Sequence, residues 1–192
     1  MGSRVTTKNG DDGTTRTLAG DLVPKSSIIL ECTGGVDALR AEIALLRARV
    51  IEQQPRDHEA VAAFLLWFVH ALFLVGTEVN DPERKHTEYW HEPLAEKHLK
   101  HIEAEQARLE AALSLPRAFI ACASTVLAAQ VDVAATRARD LERNLVRLKQ
   151  AVPVFNDETI LPFINRASDY LYILARYLED GHHLPVDYSI LS

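Results

Sequence analysis

Apolar residues recur at alternating steps of three and four along five stretches of this chain, with prolines or glycine marking most of their ends. That spacing places one apolar stripe on each of five helices. Val36, Leu39, Ile43, Leu46 and Val50 predict a first helix over 35–53, ending before Pro55. Val61, Phe64, Leu65, Phe68, Leu72, Val75 and Val79 predict a second, wider-faced helix ending before Pro82. A third runs from Pro93 to about Leu113, carrying Leu99, Ile102, Leu109 and Leu113. Pro116 separates it from a long fourth helix ending before Pro153, on which Val126 or Leu127, Val131, Ala134, Ala138, Leu141, Leu145 and Leu148 keep the pattern. Ile160, Ile164, Ala167, Leu171, Leu174 and Leu178 define the fifth, with Asn156 or Asp157 as its cap and Gly181 as its stop. Alanine and leucine, strong helix formers, occur 25 times each. The expected fold is all-α, a five-helix up-down bundle with crossing angles near about 20°.

The totals narrow the class further. A chain of 192 residues with 47% hydrophobic residues and a net charge of -6 is neither disordered, nor collagenous, nor a basic nucleic-acid binder. Six of its eight glycines fall within the first 35 residues. The chain therefore divides into a glycine-rich N-terminal segment over 1–34, a helical bundle over 35–180 and a tail over 181–192, all within one domain. Two cysteines, Cys32 and Cys122, suggest neither a disulfide framework nor a zinc site, and point to a reducing, cytoplasmic compartment. Residues 61–75 are apolar except for His70, a run shorter than the roughly 20 residues of a bilayer span, so a buried helix and no membrane contact are expected. No secretory signal pattern is read in residues 1–30. The same run is apolar nearly all round its helix, which favours a homo-oligomer that covers it.

Three groups of residues have chemical potential. Residues 7–15 (Thr-Lys-Asn-Gly-Asp-Asp-Gly-Thr-Thr), with Lys25, combine a pliant backbone, hydroxyls and cations that can meet phosphate oxygens. The segment lacks the Gly-Lys-Ser/Thr ending of a Walker A loop, and a polar turn or flexible arm is the competing reading. Arg139, Glu142 and Arg143 stand at i, i+3 and i+4 on the fourth helix, able to bind a polyphosphate with its Mg2+ or a ribose hydroxyl, or simply to form a solvated charged face. Asn165, Arg166 and Asp169 interrupt the apolar fifth helix. His86, His91, His98 and His101 complete no ligand pattern, so they are expected to be solvated, with no protein metal site. Trp67 is expected in the core, and no nucleophile–base arrangement is visible.

Together these segments resemble the PduO-type cob(I)alamin adenosyltransferases. Residues 7–15 with Lys25, then Gly34, Val36, Asp37 and Leu39, are similar to that family's TKTGDDGTT, lysine and G-x-V-D-E-L elements. Phe119 and Ile120, followed by Arg139, Glu142 and Arg143, stand in place of its FILPGG and RRAER. Residues 163–171 (Phe-Ile-Asn-Arg-Ala-Ser-Asp-Tyr-Leu) are close to its YLNRLSDYL, and Leu72, Phe73 and Gly76 match its LF-x-LG. The resemblance implies a trimer that transfers the 5′-deoxyadenosyl group of ATP to cob(I)alamin and releases triphosphate, with ATP at the subunit interface under the N-terminal segment. It implies that Thr7, Lys8, Asn9, Gly10, Thr15, Arg16 and Lys25 hold the nucleotide. Arg139 and Arg143 would hold the triphosphate, Glu142 the Mg2+ or ribose side, and Asn165 the nucleoside. Phe119 would occupy the lower corrin face and give a four-coordinate cobalt. Phe119, Arg139 and Asp37 are thus the implied catalytic residues, ATP, Mg2+ and cobalamin the cofactors, and a reductase or an adenosylcobalamin-dependent enzyme the further partners.

The chain departs from the family pattern at several places. Ala135 replaces an Arg that pairs with the Asp at Asp37, Asp140 the second Arg of the pair, Asp132 a helix-four His, and Cys122-Ala123-Ser124 the PGG turn. Arg40 or Arg137 is expected to partner Asp37 instead. The nucleotide side is the better retained, which leaves a non-catalytic ATP- or corrinoid-binding sensor, carrier or scaffold as the alternative.

Overall fold

A computed structural model of the chain describes residues 8, 10–115 and 118–191. The five expected helices form: α1 (Ile28–Gln53), α2 (His58–Asn80), α3 (Glu96–Glu110), α4 (Val126–Ala151) and α5 (Ile160–Leu178). Two short antiparallel pairs accompany them, β1 (Thr14–Arg16) with β2 (Leu22–Pro24), and β3 (Ile120–Cys122) with β4 (Leu184–Pro185). The stripes meet in one core. Val36, Leu39, Ile43, Leu46 and Val50 of α1 are all buried, as are Val131, Ala134, Ala138, Leu141, Leu145 and Leu148 of α4. Leu127, not the exposed Val126, joins them. Each buried leucine contributes about 2 kcal/mol by leaving water.

Helix α1 packs on α2 and α4, α4 on α5, and α5 on α3. An aromatic cluster closes the bundle across its middle: Phe64 lies 4.7 Å from Tyr170, Phe68 6.0 Å from Phe163, and Trp67 4.4 Å from His101, centroid to centroid. Those contacts join α2, α5 and α3 through rings in tilted and edge-on arrangements, which such quadrupoles favour. Trp67 is half-buried at the edge of the core it packs against. At 23 residues and a mean hydropathy of 2.1 in its most apolar window, α2 has the length and composition of a membrane span. Its Val61, Leu65, Phe68, Leu72, Val75 and Val79 are instead buried within the bundle. Leu66 and Phe73 remain on its outer side, 41% and 51% exposed.

Several boundaries differ from the sequence expectation. Helix α1 begins at Ile28 rather than 35, because the Ser27 hydroxyl accepts the Leu30 N–H and starts the helix early. Gly34 and Gly35 are therefore helical. Gly35 lets the α4 side chain of Leu141 approach: a Cβ there would sit 3.2 Å from Leu141 Cδ1. Thr159 precedes α5 without a side-chain cap, since Asp157 pairs with Lys149 at 3.1 Å and Asn156 accepts from Glu158 N–H. Gly181, at a φ of 74°, does end the turn that follows α5, donating to the Arg176 carbonyl. His98 is buried, not solvated, because its Nδ1 accepts the Ala95 N–H at the start of α3. The short strands have too few residues to show periodicity in sequence.

Candidate functional site

The N-terminal segment is a hairpin closed by its own polar groups. Asp12 accepts both the N–H and the hydroxyl of Thr14, at 2.9 and 2.7 Å, and these bonds hold its carboxyl below the usual carboxylate range. Lys25 donates through Nζ to the Gly10 carbonyl at 2.7 Å and through its N–H to the Gly13 carbonyl at 2.9 Å. A Cβ at Gly10 would lie 2.9 Å from Lys25 Nζ, so the lysine crosses where only glycine leaves room. Arg16 closes the β1–β2 turn on the Gly20 carbonyl, and Thr15 pairs with Val23. Lys8, Gly10, Thr15, Arg16 and Lys25 thus share one folded segment, whereas Thr7 and Asn9 lie outside the described residues.

Two residues that the sequence reading passed over, Asn80 and Lys85, dock this hairpin. Asn80, the last residue of α2, accepts the Leu18 N–H at 2.5 Å and donates to the Thr33 hydroxyl on α1 at 3.0 Å. Lys85 pairs with Asp21 at 2.7 Å. Beside this joint lies a cavity of about 440 Å³, lined among others by Arg16, Asp37, Arg40, Phe73 and Asn80. Asp37 finds Arg40, as expected, at 2.8 Å, and the guanidinium also lies 4.1 Å from the centre of the Phe73 ring.

The residues of α4 fan apart rather than forming one face. Arg143 contacts Asp140 and lines a groove of about 430 Å³ between α1 and α4, together with Arg137, Asn144 and Arg147. Gly34 leaves this groove open, since nothing lies within 4 Å of where its Cβ would be. Glu142 turns to α5 and accepts from Asn165 Nδ2 at 2.8 Å. Arg139 lines a third cavity of about 330 Å³ with Asp169 and Tyr172. Arg166 bridges Asp169 and Glu103, tying α5 to α3. Among the described residues, no group of three His, Cys, Asp or Glu side chains gathers as a metal site.

Phe119 sits at the other end of the bundle. Its side chain is 84% exposed, and its carbonyl accepts the Val186 N–H at 2.9 Å as β3 pairs with β4. The segment 181–191, expected as a tail, supplies β4 and so braces Phe119. Just beyond β3, Ser124 donates through N–H and hydroxyl to Glu179 Oε2 at 2.8 and 3.2 Å. Along α4, 21 residues separate Val126, near Phe119, from Arg147, which pairs with Glu31 in the first turn of α1. At 1.5 Å per residue that is about 32 Å. The hairpin and Phe119 occupy opposite ends of one chain.

The sequence model of the cobalamin adenosyltransferase family matches residues 5–178. A cobalamin adenosyltransferase of Cupriavidus metallidurans is 33% identical over 176 residues, covering 92% of this chain and 88% of that protein. The corrinoid adenosyltransferase PduO of Salmonella typhimurium is 29% identical over 180 residues; the match takes in 93% of this chain but only 51% of that longer protein. Among solved structures, a phenylalanine-to-histidine variant of a PduO-type ATP:corrinoid adenosyltransferase from Lactobacillus reuteri, complexed with cobalamin and ATP, shares the fold. Its TM-score is 0.83 at 24% identity, with 96% of both chains covered.

Proposed function

The chain belongs to the cobalamin adenosyltransferase family, and on that premise we propose how its residues divide the work. It is an ATP:corrinoid adenosyltransferase, moving the 5′-deoxyadenosyl group of ATP to cob(I)alamin. Cobalt in the +1 state supplies the electron pair of the new Co–C5′ bond and leaves as Co(III), while the C5′–O bond breaks and triphosphate departs. Such a nucleophile needs no protein base, so catalysis reduces to alignment and to neutralising the departing charge. Mg2+ enters with the nucleotide, whose phosphate oxygens supply ligands to it.

In this reading Thr7, Lys8, Asn9, Gly10, Thr15, Arg16 and Lys25 enclose the nucleotide. Arg143, backed by Arg137 and Arg147, and Arg139 meet the triphosphate. Glu142 serves the Mg2+ or ribose side, its carboxylate aimed by the Asn165 amide, which in turn faces the nucleoside. Phe119 presses on the lower corrin face, and Asp37 with Arg40 takes part in the contact between copies. The observation that carries this arrangement is the separation of the hairpin from Phe119 by about the length of α4. That separation supports a site assembled head to tail between copies of a homotrimer, a heterologous contact that closes as a ring. The exposed Leu66 and Phe73 give α2 an apolar outer side suited to that contact. Its two free thiols suit a cytoplasmic location. The low-valent cobalt requires a reductase upstream, and the product suits an adenosylcobalamin-dependent enzyme downstream.

Anaerobic incubation with ATP, Mg2+ and chemically reduced cobalamin tests the reading. The expected result is the absorption spectrum of adenosylcobalamin; absence of product at high enzyme concentration would overturn it.

A further inference from the structure

We propose that Glu179 is a positioning residue for the corrinoid side of the reaction, holding the Phe119 strand in place by joining Ser124 to a buried Arg176. The inference rests on the functional reading above and adds residues to it. Glu179 follows the last residue of α5, and its side chain is 0% exposed. One oxygen, Oε2, receives both Ser124 donors. The other, Oε1, lies 2.6 Å from Arg176 Nε, a charge contact out of line for a hydrogen bond. Arg176 is itself 2% exposed and reaches Asp132 Oδ2 on α4 at 2.8 Å, with its guanidinium 5.4 Å from the Tyr172 ring centre. His183, just before β4, brings Nδ1 to 4.0 Å from the same Oε1.

Burying a carboxylate and a guanidinium is costly, and hydrophobic residues of similar volume often serve stability as well or better. This network holds something specific: the junction between β3 and α4. Phe119 is fixed on one side by the β4 ladder and, five residues on, by the Ser124–Glu179 bonds. Two departures from the family pattern, Ser124 in the lost PGG turn and Asp132 in place of a histidine, are the two ends of this one chain of contacts. The turn that glycines would have shaped is instead tied from beneath by a carboxylate. An aromatic ring can press on a corrin only if its strand resists being pushed back, and the described contacts give that resistance at Glu179.

The test uses the full chain with MgATP and cob(II)alamin, without reductant, so that binding is read apart from turnover. Glu179→Gln turns an amide toward Arg176 and weakens the charged hydrogen bonds to Ser124. It should raise the Kd for cob(II)alamin on the order of tenfold and lower the four-coordinate cob(II) signal, while MgATP affinity stays within about twofold. Ser124→Ala, which keeps the backbone bond, should show a smaller change of the same kind. A corrinoid affinity and spectrum equal to wild type would overturn the proposal, as would parallel loss of ATP and corrinoid binding. Wild-type protein that binds no cobalamin would remove the parent reading and this inference with it. Should Glu179→Gln not fold, hydrogen exchange of the wild type decides: the Ser124 amide is expected to exchange as slowly as the interior of α5, and open-loop exchange would overturn the tie.

Discussion

Cys32 and Cys122 share a chemistry but not an environment. Cys32 is fully buried on α1, and burial pushes its thiol up to about 12, so at neutral pH it is neither ionised nor reachable. Cys122 lies exposed on β3. Iodoacetamide should therefore modify Cys122 alone in folded protein and Cys32 only in denaturant, read by peptide mass spectrometry; equal labelling of both would refute the assignment. Glu78 offers a second test. Its Oε1 accepts the Leu94 N–H at 2.6 Å and Oε2 meets Arg84 at 3.2 Å, yet burial outweighs both and raises its carboxyl above the ordinary 4.5. The folded state then binds more protons than the unfolded state just above pH 4.5, so stability falls as pH rises through the raised value. Glu78→Gln lacks this slope. Wild type should lose stability relative to that variant between pH 4.5 and neutrality in urea titrations, and a pH-independent difference would count against it. The same scale shows what sequence can reveal: Arg40 beside Asp37 was legible because i and i+3 meet on any helix, whereas Asn165 on Glu142 joins residues on different helices and has no local signal.

At the level of elements, the apolar stripes were legible because burial repeats with the helical period. The ends were less so. Glycines at 34 and 35 read as a break, but Ser27 starts α1 earlier and Gly35 serves a close approach of Leu141, a reason that only packing supplies. The β3–β4 pair joins segments more than 60 residues apart, and no local pattern announces it. The N-terminal hairpin is similarly held from outside, by Asn80, whose amide links hairpin, α1 and α2. Asn80→Ala removes two hydrogen bonds at about 1 kcal/mol each. Faster proteolysis within residues 8–25 and a severalfold weaker MgATP affinity by calorimetry are expected, with the melting temperature of the bundle moved by only a few degrees. Unchanged proteolysis would show that the joint does not hold the hairpin.

For the molecule as a whole, five stripes were enough to predict the bundle, and the motifs named the residues of both halves of the proposed site. Their distance apart was not legible, because it follows from α1 and α4 running antiparallel. Sequence order places residues 8–25 and 119 in one list; the bundle sets them at opposite ends. On the proposed reading each catalytic centre is the joint property of two chains, so defects in different halves need not be additive. Lys25→Ala damages the donor end of a copy and Phe119→Ala the acceptor end, and each variant alone should be nearly inactive. Co-refolding the two in equal amounts should restore activity at about one centre in four, the share in which an intact hairpin meets an intact strand. A mixture no more active than its parents would mean that each chain works alone. If the centre is shared in this way, inheritance of function through mixing, as in complementation between two defective alleles, follows from the length of α4.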